Sequence, residues 1–460
     1  MIMQENIDNI FADDELDTLA REHRFIVRST NRIQATDFVD LMTIQLCQDP
    51  ELSLDGMCDV LESKMSNTRI SGQGLQQRIN SIGAVDFLSA VFGQCLSQAV
   101  NPFFNQTPPQ LLTPFRRILL QDSTQIKLND ALCDAFCGCG GSSGKAALKL
   151  HLIYDYHRHQ ISEVSITNAT TSDTEMGQGL VEKIQADDLV MRDLGYFSIH
   201  QLREIDGKQA FFLSRLPSSV GVYLDRAPEA EAIDIIEYIN RHFPHQDTIE
   251  IQVYLGAEKF PVRLIAYRLP EKMVNQRRRK AYDAARKKSR RPTKKYLQWL
   301  SFSFYITNVP VTVWTTAVIG TIYRLRWQIE LIFKQWKSLL KIDFLTGKSE
   351  YRIECLIYGR LITICLYTLI YGVVWWYAMQ EFNREVSCDK LIKWLGRNNR
   401  LAKLLKPQSF ASLFLELIQQ INHLLKEKRN RKTTYQRIRS GQTFKENFSL
   451  DTDDFLPKVA

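Results

Sequence analysis

Apolar residues recur every three or four positions through ATDFVDLMTIQLC and again through SLDGMCDVLESKM, which predicts helices over the first hundred or so residues. Thr36 and Ser53 are candidate N-caps, since a side-chain hydroxyl can accept from the free amides of a first helical turn. In RISGQGLQQRINS, Ser71 caps a further short amphipathic helix. A short helix pair of this kind has the form of a helix-turn-helix, or of one segment in a plain helical bundle. NPFFNQTPPQ, at residues 101–110, is rich in Pro and Asn and marks a boundary.

Beyond that boundary the pattern turns strand-like. RRILLQDSTQIKL carries an apolar run ending at Asp122, and KAALKLHLIYDY and HQISEVSIT complete a three-stranded antiparallel meander, with CGCGGSSGK as its flexible loop. TSDTEMGQGLVEKIQ suits a helix, and ADDLVMRDLGYFS a strand ending at Asp193 with a glycine turn after it. SIHQLREI is a short helix and AFFLSRL another strand. Three antiparallel strands followed by helix, strand, helix and strand is the element order of an RNase H-like α/β (α+β) core. GVYLDRA, TIEIQVYLGA, FPVRLIAYRL and WLSFSFYITN predict a β-rich insertion, after which VTVWTTAVIGTIYRLRWQIE returns to helix. The predicted layout is a helical N-terminal domain over 1–112, the core over 113–216, the insertion with a basic loop over 217–308, the second part of the core over 309–379, and a helical basic C-terminal region over 380–460.

Composition fits a soluble globular chain, with 45% hydrophobic and 24% charged residues among 460. The net charge of +8 is unevenly spread: residues 1–115 hold seven Lys/Arg against fifteen Asp/Glu, leaving about +16 for the remainder. That asymmetry points to a polyanionic partner for the later part of the chain. Between Arg277 and Lys295 stand eleven cations and one acid. Arg277, Arg278, Arg279, Lys287, Lys288, Arg290 and Arg291 are therefore candidate phosphate contacts, against the alternative of a solvated tract. Arg69, Gln73, Gln77 and Arg78 are the N-terminal candidates for contacting DNA. The nine cysteines form no regular framework, which implies a reducing compartment, and Cys133, Cys137 and Cys139 lack a fourth metal ligand at a matching gap. The acidic N-terminus has no apolar core and does not read as a signal peptide. Leu361–Met379 has nineteen residues without a charge, the threshold for a membrane span, but it is isolated and abuts Arg360. It is read as a buried core helix in a cytoplasmic protein without membrane association.

The richest stretch is YRLRWQIELIFKQWK. Wound as one helix, it puts Tyr323, Arg326, Glu330, Lys334 and Lys337 on one stripe beside an apolar arc that includes Leu325, Ile329, Phe333 and Trp336. Arg326, Glu330 and Lys334 also make ordinary i,i+4 pairs, worth ~0.5 kcal/mol each. A carboxylate among cations and a phenol suits a hard metal ion next to phosphate. The order Tyr-x2-Arg-x3-Glu-x6-Lys resembles the YREK motif of the DDE transposases of bacterial insertion sequences, the insertion sequence four family that includes the Tn-five-type enzyme. Asp122, in its Asp-Ser-Thr context, and Asp193, in Asp-x-Gly-Tyr, resemble that family's two aspartates, and Glu330 its third acid. Similarity runs from Asp122 to Lys337, with a weaker likeness at Ser71-x-Gln73-x-Leu75-x2-Arg78. Asp130, Asp134, Asp155, Asp187 and Asp188 are rival carboxylates.

The resemblance implies a cut-and-paste transposase in which Asp122, Asp193 and Glu330 hold two Mg²⁺ or Mn²⁺ ions per active site. It implies that Tyr323, Arg326, Lys334 and Lys337 hold phosphates near the cleaved end, and that Trp299 stacks on a flipped base, the alternative for Trp299 being a core aromatic. Partners would be double-stranded DNA, as terminal inverted repeats and target, and a second copy of the chain in a synaptic homodimer, at the bacterial nucleoid. A catalytically inactive or domesticated DNA-binding protein on the same scaffold is the alternative function.

Overall fold

The computed structural model describes residues 9–28, 33–64, 70–98, 109–405, 409–427, 432–441 and 443. Arg69, most of the boundary at 101–110 and part of the basic stretch LLKEKRNRKTTYQRI lie outside the described residues. Nine strands make a mixed sheet: β1 (Arg117–Lys127), β2 (Ala147–Asp155), β3 (Gln160–Asn168), β4 (Asp188–Arg192), β5 (Phe211–Arg215), β6 (Val222–Tyr223), β7 (Thr248–Leu255), β8 (Phe260–Arg268) and β9 (Phe302–Thr307). Their order is β3-β2-β1-β4-β5-β9-β8-β7-β6, and the first five follow the RNase H-like arrangement expected from the sequence. The chain forms two compact units, and β1 passes from one into the other at Asp122.

One unit comprises Thr107–Asp122, Ser172–Ile329 and Arg429–Ala460. In it β4 pairs in parallel with both β1 and β5, and every residue of its DLVMR run is buried. Its apolar centre, Leu189 to Met191, suits a central parallel strand covered on both faces, and the charged ends, Asp188 and Arg192, are buried with partners. Helices Asp173–Lys183 and Ile199–Gly207 make the crossovers, capped by the Ser172 and Ser198 hydroxyls. The start of β4 is fixed electrostatically. Asp188 has no exposed side-chain area and takes Arg116 at 2.9 Å and Arg117 at 2.6 Å.

The segment between β5 and β9 does not fold away as a separate sheet. Its strands add to the β5 edge, antiparallel, through β9, β8, β7 and β6. The expected basic loop is instead a 17-residue helix, Glu271–Lys287. Met273, Val274 and Ala281 anchor it, and their spacing is that of a helical face rather than of a solvated tract. WLSFSFYITN also divides. Helix Lys294–Trp299, capped by Thr293, precedes the strand, which begins only at Phe302.

The other unit comprises Met1–Gln106, Ser123–Thr171 and Glu330–Lys428. It contains the antiparallel β2–β3 pair and a 33-residue helix, Glu350–Phe382. This helix is long and apolar enough to cross a membrane, yet 78% of its most apolar window is buried within the protein. It packs on helix Ile82–Gln98 and on a π-helical turn, Leu41–Gln45. Approach there is so close that a Cβ on Gly359 would fall 2.2 Å from the Met42 carbonyl oxygen. Among the expected caps, Ser53 accepts from Gly56 N and Ser71 from Gly74 N. Thr36 does not cap, because its helix starts one residue earlier, at Ala35, with Gln34 in the cap position.

Candidate active site

Parallel pairing of β1 with β4 runs from Arg117 opposite Asp188 to Gln121 opposite Arg192. The next residue on each strand is an aspartate, Asp122 on β1 and Asp193 after β4. Neighbouring strands lie about 4.8 Å apart, so the ladder itself brings these two residues abreast. Asp122 is not at a strand end, as its apolar run suggested. β1 continues to Lys127, because Ser123 and Thr124 stay extended although the apolar run has ended. Asp193 does follow its strand and leads into a tight turn, Leu194–Tyr196. Asp122 is buried, whereas the Asp193 side chain keeps 31% of its exposure.

Arg326 sits against both. Its Nη1 lies 3.4 Å from Asp122 Oδ2 and 4.0 Å from Asp193 Oδ1, with only 10% of the side chain exposed. Both oxygens are thus within 4.0 Å of one nitrogen and can be no further apart than twice that distance. A local change in helix type sets this geometry. The expected single helix breaks into Thr316–Tyr323, a 3₁₀ turn at Arg324–Arg326, and Trp327–Ser338. At three residues per turn, side chains three apart eclipse. Tyr323 and Arg326 accordingly stack, with the guanidinium carbon 5.9 Å from the ring centroid. The Tyr323 hydroxyl donates to the Arg192 carbonyl at 3.2 Å, so the turn is tied to the residue before Asp193. Burial pushes the Tyr323 phenol well up, against the opposing pull of Arg326, and it remains a donor at any physiological pH.

The remaining signature residues lie further along helix Trp327–Ser338. Glu330 is half-buried in its first turn, one turn past Arg326. Lys334 is exposed, and Lys337 Nζ donates to the Gln125 carbonyl of β1 at 3.0 Å. Among the described residues no three His, Cys, Asp or Glu side chains are grouped so as to hold a metal ion. Two carboxylates converging on one cationic nitrogen are nevertheless the oxygen donors that a hard divalent ion takes. Of the rivals, Asp188 is spent on Arg116 and Arg117. Asp155 accepts the His157 amide in the β2–β3 turn, Asp130 accepts from the Lys145 amide and Asp134 from the Cys133 thiol. Asp187 sits in a left-handed turn, φ 62°, ahead of β4.

Several expected DNA contacts are corrected. Arg277 is 3% exposed and donates to Phe302 O at 2.9 Å and Ser303 Oγ at 2.8 Å, and burial lowers its guanidinium to about 9. Arg278 is half-buried and donates to Leu297 O and Ser301 Oγ. Arg277 bolts the basic helix to the start of β9, and Arg278 ties it to the chain just before that strand. Arg279, Lys287, Lys288, Arg290 and Arg291 are exposed, and with them Lys272, Lys280 and Arg286, which were not singled out in the sequence. The missed signal is a seven-residue step, Lys272–Arg279–Arg286 and Lys280–Lys287, which keeps cations on one helical face. Trp299 ends a helix instead of sitting on a strand, and its half-buried ring has its centroid 4.2 Å from that of Phe304. Arg78 donates to Phe25 O at 2.6 Å and covers the Phe25 ring, so it also serves the fold, while Gln73 is exposed. Cys137 and Cys139 donate to the Cys133 and Ala169 carbonyls.

An RNase H-like sheet with two aspartates abreast on its central parallel strands defines a class, and the comparisons specify it. Residues 113–366 match the family "Transposase DDE domain", and the chain belongs to that family of DNA-cleaving and strand-transferring enzymes, which use divalent metal ions. It is 31% identical to the transposase for insertion sequence element IS231B of Bacillus thuringiensis subsp. berliner, over 74% of this chain and 73% of that one. It is 27% identical to the IS231F transposase of Bacillus thuringiensis subsp. israelensis, over 94% and 92% of the two chains. The IS1151 transposase of Clostridium perfringens is 29% identical over 80% of each. Among solved structures, the piggyBac transposase synaptic complex with hairpin DNA aligns over 94% of this chain and 87% of that one, at 12% identity and a TM-score of 0.42.

Proposed function

We propose that this enzyme moves an insertion sequence by cut-and-paste transposition, nicking double-stranded DNA at terminal inverted repeats and joining the freed ends to a target. The observation that carries the reading is the pair Asp122 and Asp193, set abreast by the β1–β4 ladder and converging on Arg326. Asp122, Asp193 and Glu330 would hold Mg²⁺ or Mn²⁺, two ions per active site. Such ions, when bound, activate a water or a 3′-hydroxyl and stabilise the leaving oxygen of an in-line displacement.

The chain's own groups bind and orient the DNA. Arg326 presents a planar fork suited to two phosphate oxygens, and Lys334 and Lys337 add point charges along the same helix. Tyr323 fixes the direction of Arg326 by stacking. The exposed cations of helix Glu271–Lys287 and of Lys288, Arg290 and Arg291 hold the duplex backbone away from the reacting bond. The first nick leaves a 3′-hydroxyl that attacks a phosphodiester of the opposite strand, forming a hairpin as the flanking DNA leaves with its own 3′-hydroxyl, and water then opens the hairpin. Two copies of the chain serve the two ends as a homodimer. This work belongs in the cytoplasm, at the nucleoid.

The test is incubation of the purified protein with a duplex bearing the element's own terminal repeats, with Mg²⁺, and resolution of the strands on a denaturing gel. A nick at the repeat boundary is expected, and a loss of at least about 100-fold in Asp193→Ala or Glu330→Ala, as one removed charge-stabilising group typically costs. Undiminished cleavage by either variant would exclude the mechanism.

A further inference from the structure

The row that Asp122 and Asp193 form across β1 and β4 continues onto β5. β4 pairs in parallel with β5 as far as Met191 opposite Leu213, and two residues further along each chain stand Asp193 and Arg215. Asp193 is still extended there, with φ −76° and ψ 166°. Two residues restore the same face of a strand, so Arg215 rises beside the acids, one strand over at about 4.8 Å. On its other side Arg215 pairs with Tyr305 of β9. The Tyr305 ring meets the Tyr323 ring at a steep angle, with centroids 5.1 Å apart, and Tyr323 carries Arg326. Arg215 is half-buried, and among the described residues its guanidinium makes no hydrogen bond and no ion pair. The carboxylate of Asp193 lies 4.0 Å from Arg326 and does not pair with Arg215. Arginines crowd the Tyr305 side. Burial raises the Tyr305 phenol, and Arg215 leads the cations that pull it back, ahead of Arg277 and Arg324. After burial, Arg215 is also what lowers the Arg277 guanidinium.

We propose that Arg215 is a further phosphate-binding residue of the active site, holding the DNA backbone on the β5 side of Asp122 and Asp193 by a phosphate next to the reacting one. The inference rests on the reading of those acids as the site of strand cleavage. A guanidinium presents five N–H donors in a planar fork, and those of Arg215 are not spent within the described protein, so two oxygens of one phosphate can take them. An anion there also offsets the repulsion between Arg215 and Arg277, a gain that no neutral ligand would bring. Arg326 grips the strand from the helical side and Arg215 from the sheet, which fixes the backbone on two sides of the bond that breaks. The Tyr-x2-Arg-x3-Glu-x6-Lys spacing does not point to Arg215, because a strand and not the signature helix carries it.

The experiment takes the full-length protein and a duplex bearing the element's terminal repeats, with a single methylphosphonate placed in turn at each backbone position around the cleavage site. Each such substitution removes the charge of one phosphate. In wild type, a position beside the reacting bond should slow cleavage about 10-fold when neutralised, the value of a hydrogen bond to a charged group. Arg215→Gln should cleave the unmodified duplex about 10-fold more slowly and lose nothing further at that one position, while still losing at the others. Arg215→Lys, which keeps the charge but not the fork, should recover part of the rate. Because the Arg215 guanidinium has no partner among the described residues, Arg215→Gln should melt at or above the wild-type temperature, whereas loss of a structural arginine would lower it. Undiminished cleavage by Arg215→Gln, a lowered melting temperature, or sensitivity equal to wild type's at every position overturns the proposal. If instead Asp193→Asn cleaves as well as wild type, the strand-cleavage reading itself fails, and this inference with it.

Discussion

At the scale of single residues, the molecule separates acids locked into the fold from the two that share Arg326. Asp188 belongs to the first kind. Burial alone would raise its pKa, but the Arg117 hydrogen bonds, the Gln185 amide and Arg116 outweigh that and bring it below its usual 3.8. Its contribution to stability is therefore complete above pH 3.8 and is lost as pH falls through the lowered folded value. Asp188→Asn should cost about 3 kcal/mol at neutral pH, at the low end for breaking a buried pair because Arg116 and Arg117 both retain some solvent. It should also flatten the acid limb of a urea-melt series between pH 5 and 2, a range set by ordinary carboxylate titration. Tyr323→Phe removes only a hydrogen bond to the Arg192 carbonyl, and should lower stability by about 1 kcal/mol in chemical denaturation while leaving the ring stacked. Asp122 and Asp193 stood out in the sequence through their resemblance to the family's two aspartates, and the β1–β4 ladder puts the pair abreast. Arg326's engagement with them did not stand out. It depends on a 3₁₀ turn, and nothing in YRLRW distinguishes three residues per turn from 3.6.

At the scale of elements, the basic helix shows what a charge run hides. In the sequence QRRRK, three successive arginines look equivalent. The helical phase imposed by Met273, Val274 and Ala281 turns Arg277 inward, leaves Arg278 at the edge and points Arg279 out. Lys272 to Arg286 spans about 21 Å of helix axis, the rise of roughly six base-pair steps. Replacing Arg279, Arg286 and Lys287 by Gln should weaken binding equally to terminal-repeat and unrelated duplexes. In fluorescence anisotropy across a salt series, each lost contact should reduce the slope of log K against log salt by about 0.9. Arg277→Gln should instead lower the melting temperature and leave that slope unchanged. The long helix Glu350–Phe382 makes the second case. Its apolarity was read correctly as core, but the sequence could not say that Gly359 meets the Met42 backbone. Gly359→Ala forces backbone apart there and should cost about 1–3 kcal/mol by thermal melting, more than an ordinary Gly-to-Ala change in a helix, which is stabilising.

At the scale of the whole molecule, the order of core elements that the sequence implied, three strands then helix, strand, helix and strand, is present, and the insertion is the main surprise. Four further strands extend one sheet, because edge β5 leaves backbone donors and acceptors that β9 can satisfy. Alternation along a strand predicts which faces are apolar but not which edge a strand will join. Charge behaves similarly: an acidic first quarter and a basic remainder were visible at once, whereas the face on which the cations collect was not.

The β1–β4 ladder has one last implication. Because side chains on a strand alternate between faces, the site has a parity, and Asp122 keeps its aim only while the count of residues before it on β1 stays the same. Deleting Leu119 alone would send the carboxylate through to the opposite side of the sheet, leaving composition and charge almost untouched. Length is thus an inherited constraint on this short stretch of chain, while the turns that join one strand to the next carry no such arithmetic.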